Sequence, residues 1–199
     1  KVTGVQTCAL PICGDGAGLM DWVISAYETH PTPDIPALLV FGPFIPRDIR
    51  RAFMERIGRL RFVDAISFDA KLERLMDRAA GVVAMGGYNT FCEILSLDKR
   101  ALIVPRAKPR LEQTIRARRA AALGLCSVLE DPTDFGRGRR DPAAMAEGIS
   151  SMLKRGRPSQ AEVPNLLSGL ESMVNLTSHW LEPKQRRLGV MYPVQAAAQ

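Results

Sequence analysis

The chain has 199 residues, of which 46% are apolar and 24% charged, with a formal charge of +6. That is ordinary globular composition and enough chain for one sizeable core. No run approaches the roughly 20 apolar residues that cross a bilayer, and with 6% aromatic residues the basic clusters lack the stacking platform of a nucleic-acid binder.

The opening "KVTGVQTCALPI" has neither a helical nor a strand period. It also lacks the long apolar region of a signal peptide. "VTGVQTCALPI" matches the translation of a common short-read sequencing adapter, and the adapter's last base fits a Cys codon at position 13. Residues 1–13 are therefore expected to be an adapter artefact, with an N-terminal domain missing; the alternative is a genuine strand ending at "ALPIC".

From Gly14 onward strand and helix signals alternate. "GDGAGL" opens a helix to about Tyr27 with Leu19, Trp22, Val23 and Ala26 on one side. "HPTPDIP" ends it, and "ALLVFG" (37–42) is a continuous apolar run of the kind found in strands buried on both faces. "RDIRRAFMERIG" predicts a helix closed by Gly58, and "LRFVDAI" (60–66) a strand. "AKLERLMDRA" predicts a helix with Leu72, Leu75 and Met76 inward. "GVVAM" (81–85) predicts a strand and "NTFCEILSL" a helix. "ALIVP" (101–105) and "LCSVL" (125–129) are strands flanking the helix "EQTIRARRAAALG", which Gly124 closes. Helices follow at about 142–154 and 165–181, and 182–199 has no clear period and is expected to be a loosely ordered tail.

Strands alternating with helices of this length predict an α/β domain over 14–181, a doubly wound parallel sheet with right-handed crossovers. Ligands of such sheets lie beyond the C-terminal ends of the strands. Three loops there carry polar and glycine residues: 14–18, 85–90 and 105–113.

In "MGGYNTFCEI" (85–94), Gly86 and Gly87 leave room for close approach of a ligand to the backbone. Asn89 or Thr90 can cap the helix, whose free amides and positive dipole end suit a phosphate. Tyr88 precedes Asn89, and Glu93 falls about one turn in, where its carboxylate can accept hydrogen bonds from ribose hydroxyls. Arg106, just past a strand, can pair with a phosphate. Glu112 and Gln113, at the start of the next helix, can hydrogen-bond sugar hydroxyls. "CGDGAG", with Gly16, can supply a second set of amides, although its spacing is not the GxGxxG of a dinucleotide fingerprint.

The arginine clusters "RARR" (116–119) and "RGRR" (137–140) read mainly as a solvated basic face. Cys8, Cys13, Cys92 and Cys126 match neither a zinc site nor a disulfide scaffold, and the only histidines are His30 and His179. A reducing, cytoplasmic protein with no metal and no cofactor is expected.

The glycine-rich opening, "MGGYNTFCEILSLDKRALIVPR" and "LEQTIRARRAAALG" together resemble, over about residues 14–154, the C-terminal donor-binding half of glycosyltransferase family 28. The likeness is strongest to the predicted glycosyltransferase group, and the sequence is more distantly similar to the peptidoglycan N-acetylglucosaminyltransferase. The resemblance implies the C-terminal Rossmann-like half of a GT-B enzyme, with a nucleotide-sugar donor, UDP-linked, as substrate. It places the ribose-binding carboxylate at Glu93, the sugar-side amide at Gln113, and the loop bracketing the base near Ile66, Ser67 and Phe68. Tyr88 and Asn89 depart from the peptidoglycan enzyme, which has small residues there. The general base and the acceptor pocket fall by analogy in the absent N-terminal domain, so no residue here is nominated as the base. The chain is then a fragment inactive alone, with no nucleic-acid partner and at most peripheral membrane contact.

Two alternatives remain. A nucleotide-sugar epimerase of the same fold would need a His near the sugar, for which His30 and His179 are poorly placed. A non-catalytic nucleotide-binding or interaction module could use the apolar stripe Leu166, Leu170, Met173, Val174, Trp180 and Leu181. "NLT" (175–177) fits a glycosylation acceptor, without meaning in a cytoplasmic protein.

Overall fold

Six short strands, all parallel, form one sheet in the order β3-β2-β1-β4-β5-β6 in this computed structural model. Described are residues 16–30, 35–67, 71–164 and 166–178, with residues 7–10 described by their backbone. The elements of the first unit, Lys1–Glu162, are β1 (Thr7–Leu10), α1 (Ala17–Thr29), β2 (Ala37–Val40), α2 (Arg47–Ile57), β3 (Val63–Ile66), α3 (Leu72–Arg78), β4 (Gly81–Ala84), α4 (Tyr88–Ser96), β5 (Arg100–Ile103), α5 (Glu112–Ala122), β6 (Ser127–Val128) and α6 (Pro142–Lys154). This is the doubly wound α/β architecture expected from the alternation of strand and helix.

The pairing registers set Cys8 between Leu38 and Val82. Thr7–Leu10, a stretch with no strand period, thus runs in the middle of the sheet, where a strand needs neighbours on both sides more than it needs alternation. The strand order reverses between β1 and β4, which makes the crevice beyond their C-terminal ends the place for a ligand.

The strands are shorter than the apolar runs that announce them. β4 and β5 stop at Ala84 and Ile103, and β6 has two residues. Chain direction persists beyond them, because the Val104 amide donates to Ala84 (2.8 Å) and the Leu129 amide to Ile103 (3.0 Å). All four residues of β4 are buried, as a strand covered on both faces requires.

Helix α1 departs from the one-sided expectation. Met20 and Ile24 are as buried as Trp22 and Val23, because α6 packs against α1 and closes its second face with Met145, Ile149 and Met152. The Trp22 indole N–H donates to the Asp141 carbonyl at 2.7 Å. Asp141 is also the N-cap of α6, its carboxylate accepting from the Ala143 amide at 2.9 Å.

The two predicted helix-closing glycines behave differently. Gly124 has φ +78°, and the Gly124 and Leu125 amides reach back to Ala121 and Ala120, a Schellman closure. Gly58 stays right-handed at φ −58°, so the closure expected there is corrected: α2 ends by continuing into turn-like hydrogen bonds from Arg59 and Leu60. In α3, Met76 is fully buried, while Leu72 and Leu75 are half-buried.

The second unit, Val163–Gln199, contains a helix over 169–178. Of the expected stripe, Leu170, Met173 and Val174 are exposed, and Trp180 and Leu181 lie outside the described residues, as does the segment from 182. Among the described residues, no helix is long and apolar enough to cross a membrane.

Candidate functional site

A cleft of about 420 Å³ opens beyond the C-terminal ends of β4 and β5. Leu19, Met85, Val104 and Pro105 give it apolar walls. Arg106, Lys108 and Arg140 bring positive charge, and Asp131 and Asp134 negative charge. Met85 directly precedes the glycine pair, so the cleft adjoins the β4–α4 loop.

That loop is built by two glycines with different reasons to be there. Gly86 has φ +75°, and a Cβ on it would come within 2.6 Å of Ile103 Cγ2. Backbone conformation and packing thus require glycine at 86 independently of the ligand access expected of it. Gly87 has open space where its Cβ would be and can accept close approach.

Gly87, not Asn89 or Thr90, is the N-cap of α4, and no side chain caps this helix. The capping expectation is corrected because the helix starts at Tyr88, which places Asn89 and Thr90 inside its first turn. The consequence favours a ligand: the first-turn amides lack a side-chain acceptor, and Tyr88 and Asn89 are exposed. Glu93 is half-buried, and its side chain has no hydrogen-bond or ion-pair partner among the described residues.

The loop after β5 is organised by α5. The Gln113 side-chain oxygen accepts from the Arg106 amide at 3.3 Å, and the Thr114 hydroxyl donates to the Arg106 carbonyl at 3.4 Å. Gln113 therefore holds the loop that carries Arg106 into the cleft, in addition to the sugar contact expected of it. Glu112 is exposed at the first position of α5. Gly16 is the buried N-cap of α1, next to β4 through β1, and no side chain caps α1 either. Ser67 is exposed and accepts a hydrogen bond from Arg50 Nη1 at 3.3 Å. It follows β3, three strand places from β4 and hence roughly 14 Å away, so the structure does not gather it with the other site residues. Phe68 lies outside the described residues.

Sequence reasoning missed the segment after β6. Asp131 is buried and accepts from Arg140 Nε (2.8 Å) and Nη2 (2.7 Å) and from the Thr133 amide and hydroxyl. Burial pushes its pKa up, but these hydrogen bonds outweigh burial and hold the carboxyl below its ordinary value. Asp134 accepts from the Ala107 amide at 2.7 Å and so ties this segment to the β5 loop. Arg140 also lies against α1, where a Cβ on Gly18 would meet its Nη2 at 2.5 Å. The available signal was positional: this loop, too, follows the C-terminal end of a strand.

Of the basic clusters, Arg118, Arg119, Arg137 and Arg139 are exposed, as a mainly solvated face implies, and several of the cluster arginines have specific partners. Arg116 binds the β4–α4 loop, Arg118 and Arg137 pair with Glu130, and Arg140 pairs with Asp131. Cys126 is buried, which raises its thiol pKa to about 11, and Cys92 and Cys126 are free thiols. Among the described residues no group of His, Cys, Asp and Glu could hold a metal ion. His30 ends α1, at the edge of the sheet opposite the cleft, where an epimerase would have no use for it; His179 lies outside the described residues.

No protein-family model matches the sequence, and no curated protein sequence does. Solved structures do match. CalG4, the calicheamicin glycosyltransferase, is similar with a TM-score of 0.55 at 17% identity, over 76% of this chain and 34% of that one. The spinosyn rhamnosyltransferase SpnG complexed with thymidine diphosphate gives 0.55 at 20% identity, over 76% and 38%. MurG of Acinetobacter baumannii gives 0.54 at 13% identity, over 80% and 48%. The fold is that of the C-terminal half of GT-B glycosyltransferases. The chain matches less than half the length of each of these three proteins.

Proposed function

We propose that this chain is the donor-nucleotide half of a glycosyltransferase of the family 28 type. The observation that carries the reading is the start of α4: exposed, without a side-chain cap, preceded by Gly86 and Gly87, and beside a cleft at the reversal of strand order. A helix start of this kind binds a diphosphate through its amides and dipole, and Glu93 one turn on accepts hydrogen bonds from the ribose. Arg106 and Lys108 at the cleft add charge that favours an anionic donor.

In the proposed reaction these groups stabilise the charge that builds on the departing nucleoside diphosphate. The acceptor hydroxyl and its general base belong to a partner half, so this chain alone binds donor without transferring the sugar. Uridine is the expected base, and thymidine is the natural comparison, since one neighbour was solved with thymidine diphosphate.

Titration calorimetry with uridine and thymidine diphosphates and their sugars tests the proposal. One of the diphosphates should bind, and Glu93→Ala should weaken that binding about tenfold, the worth of one hydrogen bond to a charged group. Absence of binding by either would sink the reading and favour an interaction module.

A further inference from the structure

Arg116 stands apart from the other arginines of α5. Its Nη1 donates to the Gly86 carbonyl at 3.0 Å. Its guanidinium lies 5.5 Å from the centroid of the Tyr88 ring. No carboxylate pairs with it among the described residues, whereas Arg118, two residues on, is paired with Glu130. The side chain thus holds both the loop residue with φ +75° and the first residue of α4, and no carboxylate among the described residues neutralises its charge.

We propose that Arg116 is a positioning residue for the diphosphate at the start of α4. The inference rests on the donor-binding reading above and adds to it a residue from the neighbouring helix. Fixing the Gly86 carbonyl fixes the whole peptide plane to Gly87, because carbonyl and amide are coplanar and point in opposite directions. The Gly87 amide is therefore turned away from Arg116, and the turn into α4 has one orientation before any ligand arrives. Such pre-ordering lowers the cost of binding. The guanidinium, with no carboxylate partner among the described residues, also strengthens the positive potential at the helix start. Tyr88, 67% exposed, keeps its place by lying against that cation. A side chain acting only as a strut could do so with its charge neutralised; among the described residues this one has no carboxylate partner beside the helix start.

The test compares Arg116→Ala, Arg116→Lys and, as a control on the same helix, Arg118→Ala. Affinities for uridine and thymidine diphosphates and for the matching nucleosides are measured by calorimetry. Hydrogen exchange follows residues 87–90. Arg116→Ala should weaken diphosphate binding about tenfold, leave nucleoside binding nearly unchanged and speed exchange in the loop. Arg116→Lys should fall between, since an ammonium keeps the charge but not the fixed fork. Arg118→Ala should match the parent chain. Equal diphosphate affinity in the parent and Arg116→Ala would overturn this inference alone, as would an equal loss for diphosphate and nucleoside. A parent chain that binds no diphosphate would overturn the donor reading and this inference with it.

Discussion

Arg140 closes on Asp131 through both Nε and Nη2, at 2.8 and 2.7 Å from the same carboxylate oxygen. The pair closes the segment after β6 on itself at the wall of the cleft, and its carboxylate is 12% exposed. Removing the carboxylate in Asp131→Ala leaves Arg140 and the Thr133 amide without their acceptor. The expected loss is about 2 kcal/mol in denaturant unfolding. Because the folded pKa lies below the ordinary one, this contribution is present above pH 3.8 and disappears as the pH falls through the folded value. Asp131→Ala should therefore flatten the acid limb of the stability–pH curve. An unchanged acid limb would show that the pair does not stabilise the fold.

The neighbouring glycines of the β4–α4 loop should respond to the same change to very different degrees. Gly86→Ala places a Cβ at 2.6 Å from Ile103 and forces an L residue into φ +75°. Left-handed strain and overpacking together should cost about 3 kcal/mol, roughly 6–12 °C in melting temperature. Gly87→Ala meets no atom within 4 Å and should cost about 0.5 kcal/mol, the difference between the two residues at an N-cap. A thermal melt of both variants decides, and equal losses would contradict the geometry.

Helices α1 and α2 are fastened at their solvent side by Arg56, which reaches Asp21 at 2.5 Å, Ser25 at 2.9 Å and Glu28 at 2.7 Å. The hydrogen bond from Arg56, more than burial opposes it, holds the Glu28 carboxyl below its ordinary 4.5. Stability from Glu28 is then complete above pH 4.5 and is lost as the pH drops through the lower folded value. Glu28→Gln should lower stability at pH 7 by about 0.5 kcal/mol, a partly exposed pair, and narrow the gap between pH 7 and pH 3. Urea unfolding at both pH values measures this, and an equal gap in both chains would refute it.

Much of this site could be read from short stretches. "GVVAM" followed by "GGYNT" announced a buried strand turning into a helix, because a run of apolar residues and a pair of glycines are local constraints. The wrong cap residue was also a local matter: a shift of the helix start by one or two residues moves Asn89 and Thr90 from the cap into the first turn. The roles of Asp131, Arg116 and Gln113 were not legible. Each depends on a partner 7 to 30 residues away, namely Arg140, Gly86 and the Arg106 amide, and no periodicity encodes such pairings.

The sequence by itself determined the alternation of strand and helix, the parallel sheet it implies and the loops that could hold an anion, because these follow from side-chain patterning within about ten residues. Only the tertiary structure decided that β1 lies between β2 and β4, so that the start of α1, the glycine loop and the Arg106 loop follow adjacent strands while Ser67 follows β3, three places from β4 on the same edge. Strand order is set by hydrogen bonds between segments far apart in the chain. The same closeness in space fixed the Asp131–Arg140 pair and made Arg116 a contact of the loop rather than part of a solvated face.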